Sequence, residues 1–290
     1  MNLADALAGQ PAFLLFAVAM LGAVVGSFLN VVALRLPRMM EADWQQEARE
    51  ILELEPPAET VRWSLVHPPS QCPHCGQPIK PWHNVPVLGW LWLRGRSACC
   101  GQRISIQYPL VETLSLVLSM LCAVRFGYSP QLGAALVLTW TLLVLAVIDF
   151  NTHLLPDVLT LPLLWAGLLL SLFRVFTTPE ASIIGAAAGY LSLWLVYWAF
   201  KLLTGRDGMG FGDFKLLAAL GAWLGWNELP EIIILSSLVG AVGGVALILS
   251  GRQNRDQPIG FGPFLAGAGY LALVEGTALR QAYFHAAGLH

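Results

Sequence analysis

The chain has 290 residues, of which 56% are hydrophobic and only 12% are charged, and its mean hydropathy is +0.64. Soluble globular domains carry about 25% charged residues, so this composition excludes a soluble protein and predicts an integral membrane protein. The net charge of -2 argues against nucleic acid as a partner, because binding to phosphates requires a basic surface.

Eight apolar segments approach the length of about 20 residues that a membrane-spanning helix needs. They predict an all-α polytopic membrane protein with about eight transmembrane helices and one polar loop domain between helices 1 and 2. The first segment lacks a basic stretch before it and a small-x-small site after it, so we expect a retained span rather than a signal peptide. The predicted spans are residues 12–34, 106–124, 131–148, 157–176, 181–203, 213–227, 231–250 and 260–279.

The orientation follows from lysine and arginine, which concentrate in cytoplasmic segments. With the N-terminus outside, thirteen of the sixteen basic residues are cytoplasmic, and only Arg125, Arg174 and Arg280 lie outside. The polar block, the turn after the third span and the segment before the sixth span then all face the cytoplasm.

The polar block, residues 35–105, begins with a stretch of helical periodicity. Glu41 to Glu55 carries Trp44, Ile51 and Leu52 at helical spacing, and two prolines follow. We expect a short amphipathic helix here. It packs on its own domain in the interpretation that we favour, and the alternative is a docking helix that lies on the membrane.

Four of the five cysteines lie in this block, in a pattern typical of metal binding rather than of disulfides. A Cys-x-x-Cys turn lets two thiolates hold one zinc ion, and a second pair completes the tetrahedron. Ser97 stands where the second such turn would begin, and the last two cysteines are adjacent, so His74 or His83 is an alternative fourth ligand. The predicted zinc ligands are Cys72, Cys75, Cys99 and Cys100, whereas Cys122 is assigned to core packing.

Three aspartates fall at the cytoplasmic ends of predicted spans and could converge. Asp157 is explained as a helix-start acid after a proline, but Asp149 closes an apolar run, where the helix dipole disfavours a negative charge. Asp213 follows the glycine-rich Gly208–Gly212. Glu112 also lies near the cytoplasmic boundary, either solvated or facing an internal polar cavity.

Paired carboxylates suit an aspartic hydrolase, because two acids that lie close together share a proton. The ionised acid activates water while the protonated acid polarises a peptide carbonyl. The glycines would let an extended substrate approach the backbone. Lys215 is interpreted as a partner of Asp213 or of a substrate carboxylate, or as a side chain that reaches the lipid headgroups.

A second glycine segment, Gly260-Phe261-Gly262-Pro263-Phe264, echoes Gly210–Phe214 with proline in place of the acid. We interpret it as a helix start led by proline. The alternative is a wall of the same cytoplasmic cleft.

Five motifs occur in the order expected of the type IV prepilin peptidases, and the resemblance covers nearly the whole chain. No single motif is specific, but their combination is. The motifs are Gly22–Val32 with Arg35–Pro37, the cysteine block, Tyr108–Glu112, Ile148–Asp149 with Leu155–Asp157, and Gly210–Lys215.

The resemblance implies a bifunctional, multi-pass enzyme of the bacterial inner membrane, with its active site facing the cytoplasm. Such enzymes cleave the basic leader from type IV prepilins and type II secretion pseudopilins, then methylate the new N-terminus with S-adenosylmethionine. The catalytic aspartates correspond to Asp149 and Asp213. The zinc ligands correspond to Cys72, Cys75 and Cys100, with Ser97 at the remaining position and Cys99 as its substitute.

The implied domains are residues 1–34, the first transmembrane helix; 35–105, the cytoplasmic cysteine-containing domain and methyltransferase region; and 106–290, a seven-helix peptidase domain. Lipid surrounds the spans, and the methyl-donor residues and oligomeric state are left open. Two other classes compete: an ion-coupled transporter, which predicts acids near mid-span, and a zinc-carrying scaffold without chemistry.

Overall fold

The computed structural model of the chain describes residues 7, 9–54, 64–206, 208–249 and 260–286. Over these residues it contains helices and two isolated antiparallel bridges, Gln71 with Pro78 and Arg96 with Arg103, but no strand. Short 3₁₀ turns occur at Pro81–Asn84 and Trp226–Glu228. The helices are α1 (Pro11–Ile51), α2 (Leu88–Trp92), α3 (Gln107–Phe126), α4 (Pro130–Thr152), α5 (Asp157–Ser171), α6 (Pro179–Thr204), α7 (Phe211–Leu224), α8 (Leu229–Leu249) and α9 (Gly262–Ala286).

Each of the eight predicted spans overlaps one of these helices, α1 or α3 to α9, but the span predicted at residues 157–176 extends beyond α5. Within the described residues, five helical stretches are long and apolar enough to cross a membrane, and α5 is a shorter apolar helix. The chain is therefore a helical, multi-pass membrane protein. The five stretches are Pro11–Ile51, Gln107–Phe126, Pro130–Thr152, Pro179–Thr204 and Trp226–Ala246.

The separate amphipathic helix predicted from Glu41 is wrong, because α1 continues through this stretch as one helix of 41 residues. Residues 38–51 contain no glycine or proline and consist mostly of strong helix formers such as Met, Glu, Gln, Ala and Arg. The buried Pro37 lies inside the helix without ending it. The predicted end at Pro56 and Pro57 lies outside the described residues.

The chain divides into two compact units, Met1–Gly127 and Tyr128–His290. In the first unit α1 packs on α3 through close backbone approach. A Cβ on Gly26 would lie 2.8 Å from the Cα of Glu112. Asn30 donates from Nδ2 to the Gly26 carbonyl at 3.3 Å and to the Tyr108 carbonyl at 3.1 Å. These contacts hold α1 against the start of α3.

The second unit is built around α7, which packs against α5, α6, α8 and α9. Every residue of α7 from Leu216 to Trp223 is buried. The backbones of α6 and α7 meet at Gly185 and Gly221, where a Cβ on either glycine would overlap the carbonyl oxygen of the other. A short central helix thus reaches its neighbours only because both contact positions lack a side chain.

Gly221→Ala is expected to destabilise the protein by about 1–3 kcal/mol, because a Cβ there forces two backbones apart. Gly133→Ala is the matched control, since Gly133 lies in α4 with no atom near its missing Cβ. Alanine at that helical position should stabilise by about 0.5–1 kcal/mol. Thermal unfolding of detergent-solubilised protein measures both variants. An unfolding midpoint for Gly221→Ala at or above that of the wild type would contradict this account of the α6 and α7 contact.

Candidate functional site

Asp149 lies in the last turn of α4, whose C-cap His153 adopts a left-handed conformation with φ of 55°. Its side chain is only 4% exposed. The Oδ2 atom of Asp149 accepts a hydrogen bond from the backbone N–H of Gly262 at 3.0 Å. A carboxylate at this helix end opposes the helix dipole, and this N–H donor offsets part of that cost.

The second glycine segment forms the surface against which Asp149 packs. A Cβ on Gly260 would overlap Oδ2 of Asp149, and one on Gly262 would lie 2.8 Å from it. Helix α9 begins at Gly262 with Pro263 in its first turn, so the proline-led start is confirmed. The segment also forms a wall around Asp149, which is the alternative interpretation of the sequence. The sequence feature that pointed to this role is the resemblance of the segment to Gly210–Phe214.

Asp213 lies in the first turn of α7 and is 7% exposed. It is close enough to Asp149 for the two carboxyl groups to interact electrostatically. An aromatic cluster holds this helix start: the ring of Tyr197 lies 5.4 Å from that of Phe211 and 5.8 Å from that of Phe214, measured between centroids. Two of the three predicted acids are therefore buried near each other in the second unit.

The glycines before Asp213 differ in what surrounds them. A Cβ on Gly212 would lie 2.7 Å from the Cβ of Leu155, and one on Gly208 would lie 2.7 Å from the Phe200 ring. Within Gly208–Gly212, Gly210 has open space, with its nearest atom 4.0 Å away on Asp213. The expected slot for an extended substrate is therefore wrong at Gly208 and Gly212, whose missing side chains serve internal packing.

Asp157 does not join the pair. It begins α5, as predicted, and is exposed. Both of its carboxylate oxygens accept from Nζ of Lys215 at 2.7 Å. Lys215 is therefore the partner of Asp157, and the expected pairing of Lys215 with Asp213 is wrong.

This geometry supports acid and base chemistry by a carboxylate pair. Burial disfavours two negative charges close together, so two such carboxyl groups favour a state in which they share one proton. One carboxylate can then accept a proton from water while the other carboxyl group donates to a carbonyl oxygen. Lys215 forms its ion pair with Asp157 and not with either member of the pair.

Glu112 belongs to the first unit and is buried, with 8% of its surface exposed. Its Oε2 atom accepts the backbone N–H of Val87 at 2.7 Å. Val87 has φ of 61°, which is strained for a β-branched residue, and it precedes α2. Of the two interpretations left open by the sequence, the structure therefore favours the internal one.

The four cysteines predicted as metal ligands form one cluster, with all four Sγ atoms within 4.8 Å of one another. No histidine joins this group among the residues that the structure describes, so His74 and His83 are not part of it. Four sulfur donors with tetrahedral reach fit a metal ion such as zinc.

Two turns of the same form carry these cysteines. The N–H of Gly76 donates to the Cys72 carbonyl, and the N–H of Gly101 donates to the Ser97 carbonyl, both at 2.9 Å. Both glycines have φ of 70°. Ser97 thus stands in the second turn where Cys72 stands in the first, as the sequence predicts, and Cys99 brings its Sγ to 3.1 Å from that of Cys75.

The thiols of the first turn are unlike in acidity. A hydrogen bond with the Ser97 hydroxyl at 3.3 Å is the main reason that the pKa of Cys72 falls to about 5. The contact with the Cys99 thiol raises the pKa of Cys75 to about 12. A bound cation would draw all of these groups toward the thiolate form, because thiolates are the metal ligands.

Comparison with known proteins gives a consistent result across the chain. Residues 20–126 match the bacterial peptidase A24 N-terminal domain, and residues 136–245 match the type IV leader peptidase family. A prepilin leader peptidase/N-methyltransferase of Pseudomonas aeruginosa is 50% identical, with 99% of each chain covered. Those of Aeromonas hydrophila (53%, 90% of each chain) and Dickeya chrysanthemi (49%, 91% of this chain and 93% of the relative) are similar. No solved structure matches significantly.

Proposed function

The chain belongs to the type IV leader peptidase family and is a bifunctional prepilin leader peptidase and N-methyltransferase, and from that premise we propose that Asp149 and Asp213 are its catalytic dyad. The observation that carries this proposal is the burial of both carboxylates together, with Asp149 held by Gly262. Their positions, in the last turn of α4 and the first turn of α7, do not fit a transporter with acids at mid-span.

Cleavage follows from the proton that the dyad shares. The ionised carboxylate takes a proton from water as the water oxygen attacks the scissile carbonyl carbon, and the protonated carboxyl group donates to the carbonyl oxygen. The C–N bond then breaks as the first carboxyl group passes the proton that it took from water to the leaving amine. The other carboxylate accepts a proton from a hydroxyl of the gem-diol, which restores the shared proton. Substrates are prepilins and type II secretion pseudopilins, cut at the cytoplasmic face of the inner membrane.

Asp149→Asn and Asp213→Asn should each lower the cleavage rate by at least about 100-fold, the contribution typical of a general acid or base. Asp157→Asn is the matched control. It removes an exposed ion pair, and such pairs contribute little to stability, so this variant should cleave at nearly the wild-type rate. Mass spectrometry of a prepilin incubated with each purified variant measures cleavage.

The same assay distinguishes loss of catalysis from loss of fold. With S-adenosylmethionine and a prepilin whose leader has already been removed, both aspartate variants should still methylate the N-terminus. A folded Asp149→Asn or Asp213→Asn variant that cleaves at nearly the wild-type rate would refute the dyad.

Gly262→Ala should lower the cleavage rate by about 10-fold or more, because its Cβ would lie 2.8 Å from Oδ2 of Asp149 and displace the acid. Gly267→Ala lies one turn further along α9, where no atom approaches the missing Cβ, and should leave cleavage unchanged. Equal rates for the two variants would show that Gly262 does not position Asp149.

We also propose that Cys72, Cys75, Cys99 and Cys100 hold one structural zinc ion, since sulfur donors in tetrahedral reach favour zinc and leave no open position for substrate. Elemental analysis should find one zinc per chain, and Cys75→Ser should reduce it. Cys122→Ser, a buried cysteine in α3, should retain it. Ser97→Cys combined with Cys99→Ser restores two Cys-x-x-Cys turns and should also retain zinc. Wild-type protein without zinc after a chelator rinse would refute the site.

S-adenosylmethionine is the proposed methyl donor, and residues 35–105 are the proposed methyltransferase region. The support is the N-methyltransferase activity together with the match of an N-terminal domain to residues 20–126. Eight membrane spans, with the polar block in the cytoplasm, complete the proposal, and its support is that each predicted span overlaps a helix.

A further inference from the structure

Helix α2 presents an apolar face that no described residue covers. Leu88, Leu91 and Trp92 are 63%, 56% and 80% exposed. They lie at positions i, i+3 and i+4, which share one side of a helix. The other two residues of α2 point inward: Gly89 is buried, and Trp90 is half-buried and donates from Nε1 to the Ile104 carbonyl at 3.3 Å.

Three arginines follow this face and surround a small cavity. Arg94, Arg96 and Arg103 line a cavity of about 320 Å³ together with Trp90, Gly95 and Ile104. Arg96 and Arg103 are paired across an antiparallel bridge, where like charges destabilise each other. Among the described residues no carboxylate forms an ion pair with any of the three.

Gly95 gives this arrangement its shape. It is buried with φ of 68°, and a Cβ there would lie 2.8 Å from the Trp90 ring. The chain therefore turns tightly between Arg94 and Arg96, over the inward side of α2. The arginines and the apolar face are thus parts of one rigid surface rather than of a loose tail.

The position in the chain points to what covers this surface. Helices α1 and α3, which precede and follow the polar block, are both of membrane-spanning length and composition. A segment tethered at both ends to such helices stays near the membrane surface. Exposed leucine and tryptophan side chains favour the interfacial region of a bilayer, and arginine forks match phosphate oxygens.

We propose that this surface docks on the membrane that the protein spans, with Leu88, Leu91 and Trp92 inserted at the interface and Arg94, Arg96 and Arg103 bound to anionic phospholipid headgroups. The second cysteine turn, Ser97–Gly101, lies between Arg96 and Arg103. Docking therefore holds the cysteine cluster at the bilayer surface. This inference is independent of the catalytic dyad.

Hydrogen exchange of the full chain in nanodiscs tests the proposal. Nanodiscs of phosphatidylcholine are compared with nanodiscs that also contain phosphatidylglycerol. Amides of residues 88–96 should exchange about tenfold more slowly, or slower still, in the anionic discs, because each arginine near an anionic surface adds favourable binding energy. The same exchange rate in both lipids would overturn the proposal without any variant.

Two triple variants separate charge from fold. Arg94→Gln, Arg96→Gln and Arg103→Gln together should abolish the dependence on phosphatidylglycerol, whereas the same three positions changed to lysine should keep most of it. Protection that persists in the glutamine variant would overturn the role of the arginines.

Inorganic phosphate added to phosphatidylcholine discs should have no effect on hydrogen exchange. Protection by phosphate alone would mean that the cavity binds a soluble anion instead of lipid and would overturn the proposal.

Discussion

The burial of two carboxyl groups near each other is the constraint on which the second unit depends. Such a pair is stable only if it shares a proton and finds donors, because both acids cannot ionise at low cost away from water. Asp149 finds the Gly262 N–H, and Asp213 takes the first turn of α7, where the helix dipole favours negative charge. Lys215 pairs with Asp157 and not with either buried acid.

Close backbone approach makes this arrangement possible. Helix α7 meets α6 at Gly221 and Gly185, its start meets Leu155 at Gly212, and α9 meets Asp149 at Gly262. Each contact lies where a methyl group would separate the elements. The glycines beside the acids thus resemble the small residues that let membrane helices pack closely, and their main effect is to bring the two aspartates together rather than to loosen the chain.

In the first unit, a short polar segment brings the four cysteines of the cluster together. Two turns of identical hydrogen bonding bring four thiols together, and Cys99 compensates for Ser97 because both lie in one turn. The antiparallel bridge that flanks the second turn pairs Arg96 with Arg103. One short segment therefore carries two of the four clustered cysteines and a cationic surface, next to the exposed apolar face of α2 that we propose to dock on the membrane.

The sequence by itself determined the helical membrane class, the approximate location of the apolar helices that the structure describes, the position of both buried acids at helix ends and the cysteine cluster, because composition, run length and Cys-x-x-Cys spacing are local properties. Only the tertiary structure decided which groups meet. The backbone donor to Asp149 lies 113 residues away in the chain, and the partner of Lys215 lies 58 residues away. The side chain that packs against Gly212 is that of Leu155, in the connection between α4 and α5. The continuity of α1 past Glu41 was also missed, since helical periodicity does not mark where one helix becomes two. Such contacts depend on how helices pack in three dimensions, and a single sequence carries no direct record of that packing.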